Sequence, residues 1–170
     1  MCGISGIITS NNIADYNFQS TLNLMKKRGP DFQNYTIGKF GNKSFALLHS
    51  RLAIIDLQSS ANQPFIDKDY YLIFNGEIYN YIELAQQIFR ADLIGKGDAK
   101  VLIELIASKG TNAIKMTNGM FSIVLFDLKK KKIFLIRDRF GIKPLYYTIK
   151  KNVIYFSSEI KSLPISKKIK

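Results

Sequence analysis

The chain has 170 residues and a single cysteine, at position 2. Initiator methionine is removed readily before a small residue, and its loss would make Cys2 the N-terminus. One residue would then carry both a thiol and a free α-amine. An unperturbed thiol titrates near ~8.5 and an α-amine near ~7.7–8.0. The amine is therefore poised to take the thiol proton at neutral pH, directly or through one water. Nucleophile and base arrive together and no histidine is required; the chain has only His49. Gly3 and Gly6 leave the backbone after Cys2 open to close approach. Farther on, Phe74-Asn75-Gly76-Glu77 offers a side-chain amide donor, a backbone N–H without a side chain, and a carboxylate. An attacked amide carbonyl becomes an oxyanion, which two preorganised donors stabilise. Asn75 and Gly76 are candidates for those donors. Taken singly, Cys2 reads as a chance terminal cysteine and Asn75-Gly76 as a common strand-ending turn.

The elements that must position these residues follow from spacing. The run 4–9 predicts a buried strand. Apolar residues at 18, 22, 24 and 25 predict a helix over 18–27, ended by Arg28-Gly29-Pro30-Asp31. Strands are predicted at 33–40, 43–55 and 70–74, the last cut at Asn75-Gly76. Helical spacing covers 79–89 and 101–107, and Asp98 is placed to cap the second of these helices. Two hairpins follow, 120–126 with 133–136 and 144–149 with 153–156, and a helical turn at 158–163. Short hairpin links imply antiparallel sheets. The strands carry too many apolar residues for one solvated face. Two sheets packed face to face with helices outside would satisfy them.

Composition narrows the function classes. Apolar residues make up 46% and charged residues 22%, which fits one ordinary globular domain. No apolar run approaches the ~20 residues of a membrane span, and no secretory signal opens the chain, so a cytoplasmic protein without a membrane role is expected. One cysteine and one histidine exclude Cys-cluster and multi-His metal sites, so no metal is expected. The net charge of +12 suggests a nucleic-acid ligand. Lysine dominates over arginine, however, and the one run, Lys129 to Lys132, falls at a hairpin turn. No nucleic-acid role is expected.

Several strings together resemble one family. Met1-Cys2-Gly3-Ile4-Ser5-Gly6-Ile7, Arg28-Gly29-Pro30-Asp31, His49-Ser50-Arg51-Leu52-Ala53-Ile54 and Gln63-Pro64 are similar to class II glutamine amidotransferases. These are N-terminal-nucleophile hydrolases. Asn75-Gly76-Glu77-Ile78-Tyr79-Asn80, Gly119-Met120-Phe121, the stretch from Arg137 to Tyr147 and Ser158-Glu159-Ile160-Lys161 continue the match. The whole resembles the glutaminase domain of glutamine-hydrolysing asparagine synthetase, over residues 1–163, with a basic tail at 164–170. The resemblance implies an α+β fold, a four-layer αββα sandwich of two antiparallel sheets. It implies L-glutamine as substrate, Cys2 as nucleophile, and Asn75 and Gly76 as the oxyanion hole. Arg51 would pair with the substrate carboxylate, and Glu77 and Asp98 would receive its ammonium. Arg28, His49, Arg137 and Arg139 would support loops near the site.

Three departures qualify this reading. Lys27 stands where the family usually has His. Gly97-Asp98-Ala99-Lys100 replaces a capping-box string, which would put a cation in the first turn of a helix and weaken glutamine binding. No Ser-Gly-Gly-x-Asp phosphate loop is present. The synthetase domain is therefore expected to be absent. No cofactor is expected in this chain, ATP and magnesium belonging to that domain. The expected partner is a synthetase domain or protein that accepts ammonia, with a homodimer left open. The alternative is a catalytically weak glutaminase-like module that only binds.

Overall fold

The computed structural model describes residues 1–164. Of the expected basic tail, only Pro164 falls within them, and it is buried; the rest lies outside the described residues. The chain divides into two compact units, Met1–Leu52 together with the residues from Pro144 onward, and Ala53–Lys143.

The first unit is built on an antiparallel sheet. Its strands are β1 (Gly3–Thr9), β2 (Phe32–Phe40), β3 (Lys43–Arg51), β8 (Tyr146–Lys150) and β9 (Val153–Ser157). Their order is β2-β3-β1-β9-β8, so the N-terminal strand is central. β1 is buried along its whole length and β3 along all but its first residue. This explains their near-continuous apolar runs, in place of the alternation of a half-solvated strand. Helix α1 (Phe18–Met25) buries Phe18, Leu22 and Met25, which recur at one-turn spacing, with Ile7, Ala46 and Leu48. Asn17 Oδ1 caps it by accepting from the Ser20 N–H at 3.1 Å. The β8–β9 turn places Lys151 and Asn152 at φ +48° and +62°, the positive values a tight two-residue hairpin demands.

The second unit holds β4 (Phe65–Ile66), β5 (Tyr70–Ile78), β6 (Gly119–Asp127) and β7 (Lys132–Arg137), in that order and antiparallel. Helices α2 (Tyr81–Gln87) and α3 (Asp98–Lys109) cover one face. Leu72, Phe74 and Ile78 of β5 join Leu84, Leu102, Leu105 and Ile106 in its core. Ile73, Asn75 and Glu77 alternate onto the other face. Lys129 to Lys132 is exposed at the β6–β7 hairpin, as expected, and Lys129 reaches Asp69 at 2.6 Å.

Several expectations need correction. β5 does not stop at Asn75-Gly76 but runs on to Ile78, paired with β6 throughout. Helix α3 begins at Asp98, and Gly97 rather than Asp98 is its N-cap. The strand expected over 43–55 ends at Arg51.

Candidate active site

In the first unit, Cys2 lies one residue before β1 and is half-buried, behind an exposed Met1. Its Sγ accepts from the Leu52 N–H at 3.4 Å and lies 3.7 Å from the Leu52 carbonyl. Arg51, buried at the end of β3, is the neighbour of that donor. Antiparallel pairing of Gly3 with Ser50 fixes this juxtaposition, because the start of β1 must lie beside the end of β3. The Arg51 carbonyl accepts from the Asp31 N–H at 3.1 Å, which ties the Arg28-Gly29-Pro30-Asp31 segment to the same corner. Arg28 Nε donates to the Cys2 carbonyl at 2.9 Å.

In the second unit, Asn75, Gly76 and Glu77 follow one another on β5. Asn75 is 1% exposed, and its Nδ2 has no partner among the described residues. A buried N–H left unmade costs about 1–3 kcal/mol. Ser122, directly opposite on β6, is equally buried and its Oγ is also unpaired there. Gly76 is required where it stands. A Cβ there would collide with the Met120 carbonyl and lie 2.6 Å from Phe121 Cα, and neither backbone atom can yield. Gln63, which sequence reasoning left without a role, accepts from the Phe74 N–H at 2.6 Å and steadies β5 just before Asn75.

Asp98 is 8% exposed. Its Oδ2 accepts from the Ile78 N–H and its Oδ1 from the Ala99 N–H, both at 2.8 Å. Burial pushes its carboxyl above the usual carboxylate range, and repulsion from Glu77 adds to this against those two hydrogen bonds. Glu77 on β5 and Asp98 at the start of α3 are thus near enough for their charges to repel. Gly97 cannot be exchanged for a capping Ser or Thr without strain. It sits at φ +84°, and a Cβ would lie 2.9 Å from that of Asp56. The departure at 97 is thus built into the loop, while Lys100 does stand in the first turn of α3.

Asp138 organises the segment after β7. Its Oδ2 accepts from the N–H groups of Phe121 and Lys143 at 3.1 and 3.0 Å. Its Oδ1 accepts from Phe140 and Ile142 at 3.0 and 2.9 Å. Burial works against its charge, but the four donors prevail and hold the carboxyl below its usual range. Arg137 donates to the Lys143 and Gly141 carbonyls. The segment from Arg137 to Lys143 is therefore architecture. No group of residues suited to a metal ion occurs among the described residues.

The pattern of the glutamine amidotransferase domain family matches residues 1–170. The chain belongs to that family. It is 37% identical to a putative glutamine-hydrolysing asparagine synthetase of Methanocaldococcus jannaschii, covering 99% of this chain and 36% of that protein. It is 40% identical to asparagine synthetase 2 of Bacillus subtilis, covering 96% and 22%. The amidotransferase domain thus spans about a fifth to about a third of these relatives. Among solved structures, the B. subtilis glutamine phosphoribosylpyrophosphate amidotransferase superposes with a TM-score of 0.70. That match has 19% identity and covers 95% of this chain and 42% of the other. The likeness shows the fold alone, two antiparallel sheets with few helices, consistent with an αββα sandwich. No helix among the described residues is long and apolar enough to cross a membrane.

Proposed function

We propose that this domain hydrolyses the side-chain amide of L-glutamine and delivers ammonia to an ATP-dependent synthetase that amidates aspartate. The observation that carries the reading is the buried, unpaired Nδ2 of Asn75 beside the close-packed Gly76. A fold that leaves a donor unmet in this way lacks an acceptor, and an oxyanion formed on an attacked amide is one. With Met1 removed, the Cys2 amine takes the thiol proton and the sulfur adds to the amide carbon. The carbonyl oxygen becomes an oxyanion facing Asn75 Nδ2 and the Gly76 N–H. Its collapse breaks the C–N bond, the proton passes to the leaving nitrogen, and ammonia departs from a glutamyl thioester. Water then adds to the thioester, and glutamate leaves as the thiol re-forms. Arg51 offers a planar fork to the substrate carboxylate, and Glu77 with Asp98 receive its ammonium. A zwitterion needs both signs of charge, so amides without an amino-acid head are rejected.

The chain performs this half-reaction without a cofactor; ATP and magnesium belong to the synthetase. It acts in the cytoplasm, with no nucleic-acid or membrane partner, and light scattering decides between monomer and homodimer. Glutamate release by the chain, compared with Cys2→Ala, tests the function, and intact mass shows whether Met1 has gone. Absence of cysteine-dependent glutamate release refutes it. Lys100, in the first turn of α3 beside Asp98, favours a second reading, a module that binds glutamine weakly and turns it over slowly. Calorimetry showing glutamine binding without glutamate release selects that one.

A further inference from the structure

We propose that Glu159 is a positioning residue that sets the nucleophile through Arg28; this rests on the glutaminase reading above. Arg28 is mostly buried, with 13% of its side chain exposed. It donates through Nε to the Cys2 carbonyl at 2.9 Å, and its Nη1 lies 3.4 Å from Glu159 Oε1. Cys2 stands one residue before β1, and the guanidinium of Arg28 holds its carbonyl there.

Glu159 is suited to anchoring because its own backbone is pinned. Its N–H donates to Ser157 Oγ at 3.3 Å. Its carbonyl accepts from the N–H and the Oγ of Ser162, both at 3.0 Å. Ser158 fastens the adjacent residue to β1, since Ile4 N–H donates to its Oγ at 3.1 Å and the Ser158 N–H donates to the Ile4 carbonyl at 2.8 Å. The Ser157 and Ser162 hydroxyls close the turn at 2.7 Å. The exposed Lys161 ammonium lies 3.2 Å from the other carboxylate oxygen, an ion pair that makes no hydrogen bond to it. The carboxylate is thus a fixed post, and Arg28 is a strut between it and Cys2. The sulfur at the far end of Cys2 then meets the Leu52 N–H. A reacting atom misplaced by an ångström loses rate even when nothing in the binding pocket changes.

The test is a cycle of Arg28→Gln, Glu159→Ala and the double variant in the full chain with Met1 removed. Glu159→Gln is added because its oxygen can still accept from Arg28. Glu159→Ala should lower kcat for glutamine hydrolysis about tenfold with KM unchanged. The double variant should be no slower than Arg28→Gln alone. Glu159→Gln should stay within about threefold of the parent, the loss expected on replacing a charge-assisted bond by a neutral one. Because Cys2 is the sole thiol, its alkylation by iodoacetamide gives a second readout that needs no substrate. It should slow in both single variants, with the double variant matching Arg28→Gln. Additive losses, an altered KM, or Glu159→Ala alkylating at the parental rate overturns the proposal. A parent chain that fails to hydrolyse glutamine while the alkylation cycle behaves as described overturns the glutaminase reading and leaves the strut standing.

Discussion

Replacing Asp138 by Asn preserves the shape of the side chain while removing its charge and one of its two acceptors. In the native chain each carboxylate oxygen takes two backbone N–H donors at 2.9–3.1 Å. The N–H groups of Phe121 and Lys143 bond within a buried environment, and those of Phe140 and Ile142 in a partly buried one. The variant's oxygen will keep the buried pair, with each bond weakened from the ~1.5–3 kcal/mol of a charged acceptor to ~0.5–1.5 kcal/mol. Its NH₂ then faces the other two donors, which must turn to water. The weakened pair alone costs about 2–3 kcal/mol, out of the ~5–15 kcal/mol that holds a typical domain together, and the two displaced donors add to it. For a chain of this length that corresponds to a fall in Tm of about 10 °C. The sign with pH follows from the depressed carboxyl. Its stabilisation is complete above the ordinary carboxylate pKa and is lost as pH falls through the lower folded value. The gap between parent and variant should therefore be widest at about pH 7 and close toward about pH 3. Urea unfolding at both pH values measures it. A gap under about 0.5 kcal/mol at neutral pH, or one that does not shrink in acid, refutes the reasoning.

Other perturbations separate chemistry from architecture. Asn75→Ala should cut kcat for glutamine by about 10²–10³ with little change in Tm, since the lost Nδ2 has no protein partner to leave behind; steady-state kinetics beside a thermal melt checks both. Asp98→Asn should raise the glutamine KM about tenfold or more by removing a charge from the ammonium site. The raised carboxyl of Asp98 makes the parent lose stability as pH climbs from the ordinary carboxylate value through the folded one. That slope should be missing from the Asn variant in pH-dependent melts. Lys100→Glu should stabilise the chain by about 0.3–1 kcal/mol at the positive end of α3. It should also lower the glutamine KM, and an unchanged KM means that Lys100 does not act on the ammonium.

Residue types alone announced much of this protein. A cysteine one position from the start needs no partner elsewhere to become a nucleophile with its own base, so its chemistry is legible without a fold. Hairpins were legible too, because turn residues and alternation are local: the β8–β9 turn lies at Lys151-Asn152, as expected. Local reasoning failed where a distant strand decided the outcome. Asn75-Gly76 reads as a turn, yet β6 runs alongside so closely that only glycine fits at 76, and the strand continues. Asp98 reads as a cap, yet its Oδ2 is committed to Ile78 on another element and its pKa is set by burial. Likewise, Arg28 and Glu159 are separated by 131 positions, and only the central placement of β1 in its sheet brings both to Cys2. Sequence thus determined which groups can react, because reactivity belongs to the residue. Tertiary structure decided which of them are buried, left unpaired or braced, because those properties depend on neighbours that the chain supplies from far away.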